Sequence, residues 1–279
     1  MKASNEYLGV EGSEDFLRHV TRQRREDAEM LAAKRSLESL QREAALPLER
    51  RSLADRLRRA AGFPAVLAEV KRASPSAGIL RELYDPALIA RQYQQAGAAA
   101  ISVLTEPHYF LGNSRHLLDV REAVSLPILR KDFISTLYQV YESAALGADA
   151  VLLIAAALDF GTLRELYVVA MAIGLEVVVE VHTREELEIV LPLARTIIGV
   201  NNRNLKTLRT DLQVSRDLAP LIPRDRLAIS ESGIRTRDDI LELQALGYAG
   251  FLVGESLLRS HHPGLALSGL IGPRRHGAP

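Results

Sequence analysis

Apolar runs too short to be helices recur along the chain after Pro64, each followed by an amphipathic stretch. There are eight: "AVLAEVK" from Ala65, "AAISVLT" from Ala99, "PILRK" from Pro127, "AVLLIA" from Ala150, "LEVVVEV" from Leu175, "IIGVN" from Ile197, "LAISES" from Leu227 and "GFLVG" from Gly250. Their starts lie 22 to 34 residues apart, enough for a strand, a helix and two loops. Between them, "PALIARQYQQAGA", "STLYQVYESAALGA", "TREELEIVLPLA" and "TRDDILELQALGYAG" carry helical spacing. Three of these end in an Ala-Gly or Leu-Gly pair, where a helix C-terminal glycine belongs. Near-continuous apolar strands imply a parallel sheet covered on both faces. Eight units is also the number that closes a barrel. The alternative, an open doubly wound sheet, usually has fewer strands and a glycine-rich first turn, and no G-x-G-x-x-G follows the first strand. The expected fold class is therefore α/β, a (β/α)8 TIM barrel.

Ahead of the barrel, Asp15 to about Leu46 is rich in Arg, Glu, Ala and Leu, lacks glycine, and predicts one helix closed by Pro47. A second helical pattern runs from Leu48 to Ala61 and ends at Gly62-Phe63-Pro64. The apolar positions hold no sustained heptad, which favours an extension packed on the barrel over an oligomeric coiled coil. The expected organisation is an N-terminal helical extension over 1–64, a catalytic barrel over 65–272 and a C-terminal tail over 273–279.

Active sites of such barrels lie at the C-terminal ends of the strands. In this chain those ends read Glu69 and Lys71; Thr105 and Glu106; Lys131 and Asp132; Glu180 and His182; Asn201, Asn202 and Arg203; Glu231 and Ser232; Gly254 and Glu255. Only "AVLLIA" ends without a charged or amide group. The strand period of two puts Glu69 and Lys71 on one face. Taken singly, each has a plain structural account. Glu69 and Lys71 make an ion pair, Lys131 is a solvated strand end, and the Asn201–Asn204 run is turn chemistry. Since Arg130 precedes Lys131, one of the two points away from the pocket. Glu180 is harder to dismiss, because the flanking valines offer it no solvent. His182 and His108 read as surface or capping histidines and receive no role. The coincidence of so many polar residues on one rim points to a pocket.

The last two units add an anion site. "ISESGIRTRDD" places a Ser-Gly step after the seventh strand, and "FLVGESLLRS" places a Gly and a helix start after the eighth. Loops at these positions hold phosphate in this fold, through backbone N–H groups at helix starts. The loop Ser74-Pro75-Ser76-Ala77-Gly78 adds further donors.

Composition narrows the partners. The 279 residues are 47% hydrophobic and 25% charged, with 35 basic and 35 acidic side chains, so no global field draws nucleic acid or an acidic membrane. The absence of Cys excludes disulfides and thiolate metal sites and fits a reducing cytoplasm. "MKASNEYLGVEGSEDF" lacks a signal peptide's apolar core, and the longest apolar run, "AVLLIAAAL", is far short of a membrane span. A soluble cytoplasmic protein acting on a small molecule is expected.

"AEVKRASPSAG", "SVLTE...YF.G", "LRKDF", "VVVEVHT", "IGVNNRNL", "SESGI" and "FLVGESLL", in this order, resemble the indole-3-glycerol-phosphate synthase family of tryptophan biosynthesis. The resemblance runs from the helical lead-in to about Leu270. It implies a TIM barrel with an N-terminal helical extension, a phosphorylated substrate, and neither metal nor organic cofactor. The chain is expected to be a monofunctional carboxy-lyase, monomeric or weakly homo-oligomeric. The implied reaction converts 1-(2-carboxyphenylamino)-1-deoxyribulose 5-phosphate to indole-3-glycerol phosphate, carbon dioxide and water. By resemblance, Lys131 is the general acid of ring closure. Glu180 is the base or stabilises positive charge on the anilinium nitrogen, and Glu69 and Lys71 serve dehydration and hold the substrate carboxylate. Asn201 and Arg203 orient substrate, Ser74, Ser232, Gly233, Gly254 and Glu255 surround the phosphate or its edge, and Glu231 is grouped with them as substrate- or phosphate-binding. A carboxylate beside a dianion is unfavourable, so Glu255 is expected to contribute only its backbone N–H. The "YFLGN" loop, Tyr109 to Asn113, departs from the family's usual pattern. Two rival readings exist. A phosphoribosyl isomerase would use an Asp or Cys acid–base pair in place of this lysine–glutamate set. A binding or scaffolding barrel would have neutralised strand ends.

Overall fold

The computed structural model describes residues 16–46, 48–59, 63–204 and 207–272. The expected tail over 273–279, the leader through Asp15 and the breaks at Pro47 and Gly62 lie outside the described residues. Eight parallel strands close into a barrel: β1 (Val66–Val70), β2 (Ala100–Leu104), β3 (Ile128–Lys131), β4 (Ala150–Ile154), β5 (Glu176–Val181), β6 (Ile197–Asn201), β7 (Ala228–Glu231) and β8 (Gly250–Val253). Each strand pairs with the next in sequence, and β8 returns to β1 with Leu67 opposite Leu252. Three helices precede the barrel: α1 (Phe16–Lys34), α2 (Leu37–Ala44) and α3 (Leu53–Arg59). Those after β1 to β4 are α4 (Pro86–Gln95), α5 (Ser114–Ala123), α6 (Leu137–Ala145) and α7 (Phe160–Ala172). The rest are α8 (Arg184–Val190), α9 (Gln213–Leu218), α10 (Arg237–Ala245), α11 (Glu255–Leu258) and α12 (Pro263–Ile271).

Local chemistry sets the helix ends. Asp85, Thr136, Asp159, Thr183 and Thr236 each accept a hydrogen bond from an amide in the first turn of the helix that follows. Gly97, Gly147 and Gly247 stop α4, α6 and α10 with φ of 94°, 83° and 108°, the glycines the pattern singled out. Val66, Ala68 and Val70 of β1 face the surrounding helices, whereas Leu67 joins the barrel interior. This two-sided burial is why the strands read as unbroken apolar runs.

The N-terminal segment differs from its expected form in two places. The single helix expected over Asp15–Leu46 is two, because Ser36 is extended and its side chain accepts from Ser39 N. The break turns α2 so that Leu40 packs with Ala28 and Tyr138. The second helix begins at Leu53 rather than Leu48, because the preceding residues fasten to the barrel's lower rim. Arg51 N donates to Asp149 Oδ1, and the Glu176 carboxylate accepts from Ser52 Oγ, Leu53 N and Ala54 N. A carboxylate thus caps α3 from another strand. Glu176→Ala is expected to cost about 1–2 kcal/mol in urea unfolding with turnover per folded molecule preserved.

These helices close the barrel at both ends. Leu53 and Leu57 of α3 join the interior at the N-terminal rim, where a Cβ on Gly250 would overlap Leu57. Leu17 and Val20 of α1 join the same interior cluster, together with Leu152, Ile154 and Phe133. Among the described residues, no helix is long and apolar enough to cross a membrane.

Candidate active site

The C-terminal strand ends surround a cavity of about 400 Å³. Glu69, Lys71, Lys131, Glu180, Asn201 and Arg203 all line it. The interior alternation explains how. Lys131 follows Leu129 on the inward face of β3, while Arg130 turns outward into a buried network with Glu142, Asp132 and Ser143. Lys131 Nζ donates to Glu180 Oε2 at 3.2 Å and to Glu231 Oε2 at 3.0 Å. Lys71 Nζ lies 2.5 Å from Glu69 Oε1, so this wall holds a second ammonium–carboxylate pair.

Glu231 therefore sits with Lys131 and Glu180, in the charged cluster rather than on the loop beyond β7. The cluster separates its carboxylates. Burial pushes the Glu231 carboxyl up; Lys131 pulls it back, but Glu180 opposes, leaving it at about 7. Burial also raises Glu180, yet Lys131, His182 and a hydrogen bond from Asn201 outweigh it and leave that group below its ordinary value. Lys131 loses by burial and gains more from Glu231, Glu180 and Glu69, so it is held charged. One carboxylate stays ionised, the other trades a proton near neutrality, and an ammonium stands between them.

The Glu231 shift has a sign in stability. The folded state holds a proton that the unfolded state releases near pH 4.5, so this contribution is full below that pH and lost as pH rises through about 7. Glu231→Gln should gain on the native protein by roughly 1–3 kcal/mol between pH 4.5 and 8, read from denaturant unfolding at both pH values.

Glycines open space for these carboxylates. A Cβ on Gly199 would overlap Glu231 Oε1, and one on Gly254 would overlap Glu69 Oε1. Gly199 was not among the expected site residues. Its signal was there, a glycine inside the apolar run "IIGVN", which marks close approach. Gly254, expected at the phosphate, lines the cavity and also clears the path of Glu69.

On the β7–β8 side, Ser232 and Gly233 adopt successive left-handed conformations, with φ of 64° and 81°. The side chain of Asn202 pins that turn, donating to Glu231 O and Ser232 O. Asn201 and Asn202, adjacent in sequence, thus have opposite tasks, one facing the cavity and one fastening a loop. Asn204 Oδ1 accepts from Thr207 N and is turn chemistry, as the run allowed. Ser74 Oγ is buried, lines the cavity and has no hydrogen-bond partner among the described residues. Arg203 bridges the loops: it donates to Ser76 Oγ at 3.0 Å and meets Glu255 Oε2 at 3.5 Å. The Glu255 carboxylate is also held by Arg259 Nε at 3.1 Å, which offsets its charge.

Across the mouth, Phe16, Phe110 and Phe133 form an apolar wall, with Phe16 6.4 Å from Phe133 and Phe110 6.2 Å from it. The "YFLGN" loop reaches this wall because the Glu106 carboxylate accepts from His108, Tyr109 and Phe110 amides, and because only glycine fits at Gly112 against Glu106 O. Glu106 is therefore a loop anchor. Thr105 and Asp132 bind the arginines Arg24 and Arg130. Among the described residues, no group of three or more acidic or His side chains is placed to hold a metal ion.

Residues 17–270 match the family model described as indole-3-glycerol phosphate synthase. The chain belongs to the indole-3-glycerol phosphate synthase family. The synthase of Burkholderia vietnamiensis is 49% identical over 247 residues, 86% of this chain and 93% of that protein. The synthase of Acidithiobacillus ferrooxidans is 45% identical over 259 residues, covering 92% and 98%. Among solved structures, thiamine phosphate pyrophosphorylase from Pyrococcus furiosus superposes with a TM-score of 0.56 at 16% identity, over 78% of this chain and 96% of that one. That likeness concerns the barrel alone. Glu69 and Lys71 of "AEVKRASPSAG", Lys131 of "LRKDF" and Glu180 of "VVVEVHT" all line the cavity described above.

Proposed function

We infer that the cavity carries out the synthase reaction: ring closure, decarboxylation and dehydration of 1-(2-carboxyphenylamino)-1-deoxyribulose 5-phosphate to indole-3-glycerol phosphate. The observation that carries the reading is Lys131 Nζ held between Glu180 Oε2 and Glu231 Oε2. The aryl ring lies on the wall of Phe16, Phe110 and Phe133. The phosphate lies at Ser74, Ser232, Gly233 and the Gly254–Glu255 step, reached by a ribulose chain that spans the mouth. Glu255 serves through its backbone while Arg259 and Arg203 hold its carboxylate.

In this arrangement the ring carbon bearing the carboxylate attacks the C2 carbonyl. The carbonyl electrons pass to oxygen, which takes a proton from Lys131. Glu180, ionised, faces the nitrogen as positive charge develops there. The carboxylate leaves as carbon dioxide, and its bonding electrons restore the aromatic ring. Dehydration then removes the hydroxyl as water together with a proton from the adjacent methylene, served by Glu69 and Lys71. Asn201 and Arg203 orient the substrate's hydroxyl and carboxylate groups, and Glu231 exchanges a proton with the Lys131 side. The division of the chain follows the same logic. α1 and α3 close the barrel and belong to the catalytic unit. A cytoplasmic protein, monomeric or weakly associated, completes the reading.

Turnover followed by indole fluorescence tests it. The purified protein is expected to yield a fluorescent product from the aryl-ribulose phosphate without added metal. Binding of that substrate with no fluorescent product would overturn the assignment.

A further inference from the structure

His182 follows β5 by one residue, and no step above uses it. Its ring is 14% exposed and lies between two carboxylates: Nε2 is 3.4 Å from Glu180 Oε1, and Nδ1 is 3.3 Å from Glu186 Oε2. Glu186, in the first turn of α8, also accepts from the His182 backbone N–H at 2.6 Å, so the ring is tethered at its base. Glu180 is thus flanked on both sides, Oε2 hydrogen-bonded by Lys131 and Oε1 facing His182 Nε2 at 3.4 Å, a charge contact without a hydrogen bond. A line of groups with alternating charge runs from the cavity to the outer rim: Glu231, Lys131, Glu180, His182, Glu186.

We propose that His182 is a positioning residue for the reaction, a charged imidazole that Glu186 holds against Glu180 so that the Glu180 carboxylate stays ionised and fixed beside Lys131. The proposal rests on the assignment of Glu180 to the reaction. The charged groups facing the ring are Glu180 from its own strand, Glu186 from α8 and Glu231 from β7, all acidic. Lys131, from β3, lies beyond Glu180. Burial opposes charge on the imidazole, but the bond from Glu186 and the fields of Glu180 and Glu186 exceed it and raise its pKa. His182 is therefore cationic throughout the acid range, pH 5 and below, in which Glu180 is at risk of protonation. Above that range the ring turns neutral, but Glu180 is ionised there without help. The effect belongs to the acid limb alone.

The test is the pH profile of kcat/KM from pH 4 to 9 for the native protein, His182→Asn and Glu186→Gln, with Glu180→Gln as reference. In His182→Asn the acid limb should move to higher pH by roughly 0.5–1 unit, lowering kcat/KM by up to about 3–10-fold on the limb itself, at pH 4 to 5, and by less than about 2-fold at pH 6 and above. Glu186→Gln preserves the backbone acceptor and should give a smaller shift of the same sign. Parallel profiles, with activity reduced equally at every pH, would mean a merely structural role and overturn the proposal. A second readout is the histidine titration by nuclear magnetic resonance of the whole protein. The signal lost in His182→Asn should titrate above 6.5 and fall in both Glu180→Gln and Glu186→Gln. If His182→Asn fails to fold, that titration in the two glutamine variants decides the matter, and an unmoved His182 signal overturns it. If Glu180→Gln keeps full turnover, the assignment of Glu180 fails and this inference with it. If Glu180→Gln is inactive but the His182 variants leave the limb in place, only the inference fails.

Discussion

Lys131→Ala is expected to lower kcat by roughly 10³–10⁴-fold while affinity for the phosphorylated product changes less than about tenfold. Two things are lost together. The ammonium that protonates the new alkoxide is gone, and so is the cation that lets Glu180 and Glu231 share the space. Without it, one of the two buried carboxylates takes a proton. That one is Glu231, already raised to about 7, while Glu180 stays ionised but loses the ammonium that holds it in place. Binding survives because the phosphate is held by the loops after β7 and β8, and β3 and β7 are four strands apart in the closed ring of eight. Lys131→Arg should not restore turnover, since a guanidinium keeps the charge but is a far poorer proton donor at neutral pH. Single-turnover fluorescence and calorimetric titration with indole-3-glycerol phosphate measure the two halves separately. A collapse of affinity in step with turnover would show that Lys131 holds the whole ligand and that the separation of roles is wrong.

Much of this arrangement is legible before any coordinates, and for a physical reason. Barrel strands are apolar on both faces, so a Glu or Lys near the C-terminal end of an apolar run stands out. Glu69, Lys71, Lys131 and Glu180 were found that way. Strand periodicity also required Arg130 and Lys131 to part, and Arg130 is the one that leaves. What pattern cannot supply is direction at strand ends and partnership over long sequence distance. Asn201 and Asn202 are the same residue type, and only the barrel assigns one to the cavity and one to Ser215, Ser230 and the β7 turn. Glu231 read as a strand end grouped with the substrate- or phosphate-binding residues, and its motif "SESGI" carries no sign that the inward face of β7 puts it against Lys131. Ser36 was invisible as a helix break because the flanking residues all favour helix, and the gain from turning there is tertiary. Arg24 gave no signal at all: it lies 108 residues from its partner Asp132.

That last pair is where loss of stability is expected to be largest. Asp132→Ala should destabilise the fold by roughly 3–5 kcal/mol, since it strands buried cations that were neutralised. Asp132 accepts from Arg24 Nε at 2.9 Å and Nη2 at 2.8 Å, from Thr105 Oγ1 at 2.6 Å and from Arg130 Nη2 at 3.2 Å. Burial pushes its carboxyl up, but Arg24 and Arg130 together hold it far below the usual carboxylate range. A depressed folded-state pKa contributes stability that is fully present above the unfolded value near 4 and lost as pH falls below it. The gap between Asp132→Ala and the native protein should therefore be widest at neutral pH and shrink below about pH 4, as urea unfolding at pH 7 and pH 3 would reveal. Asp132→Asn, which keeps the acceptor oxygen and loses the charge, should fall between them. Activity follows from the same contact. Arg24 ties α1 to the end of β3, and α1 carries Phe16 into the apolar wall beside Phe133, the neighbour of Asp132. Loosening that tie raises KM for the aryl substrate more than it lowers kcat, because the wall binds the ring while Lys131 stays in place. A variant that lost stability but kept its KM would mean that the wall stands without α1, and the N-terminal helix would then be a brace for the fold with no part in the site.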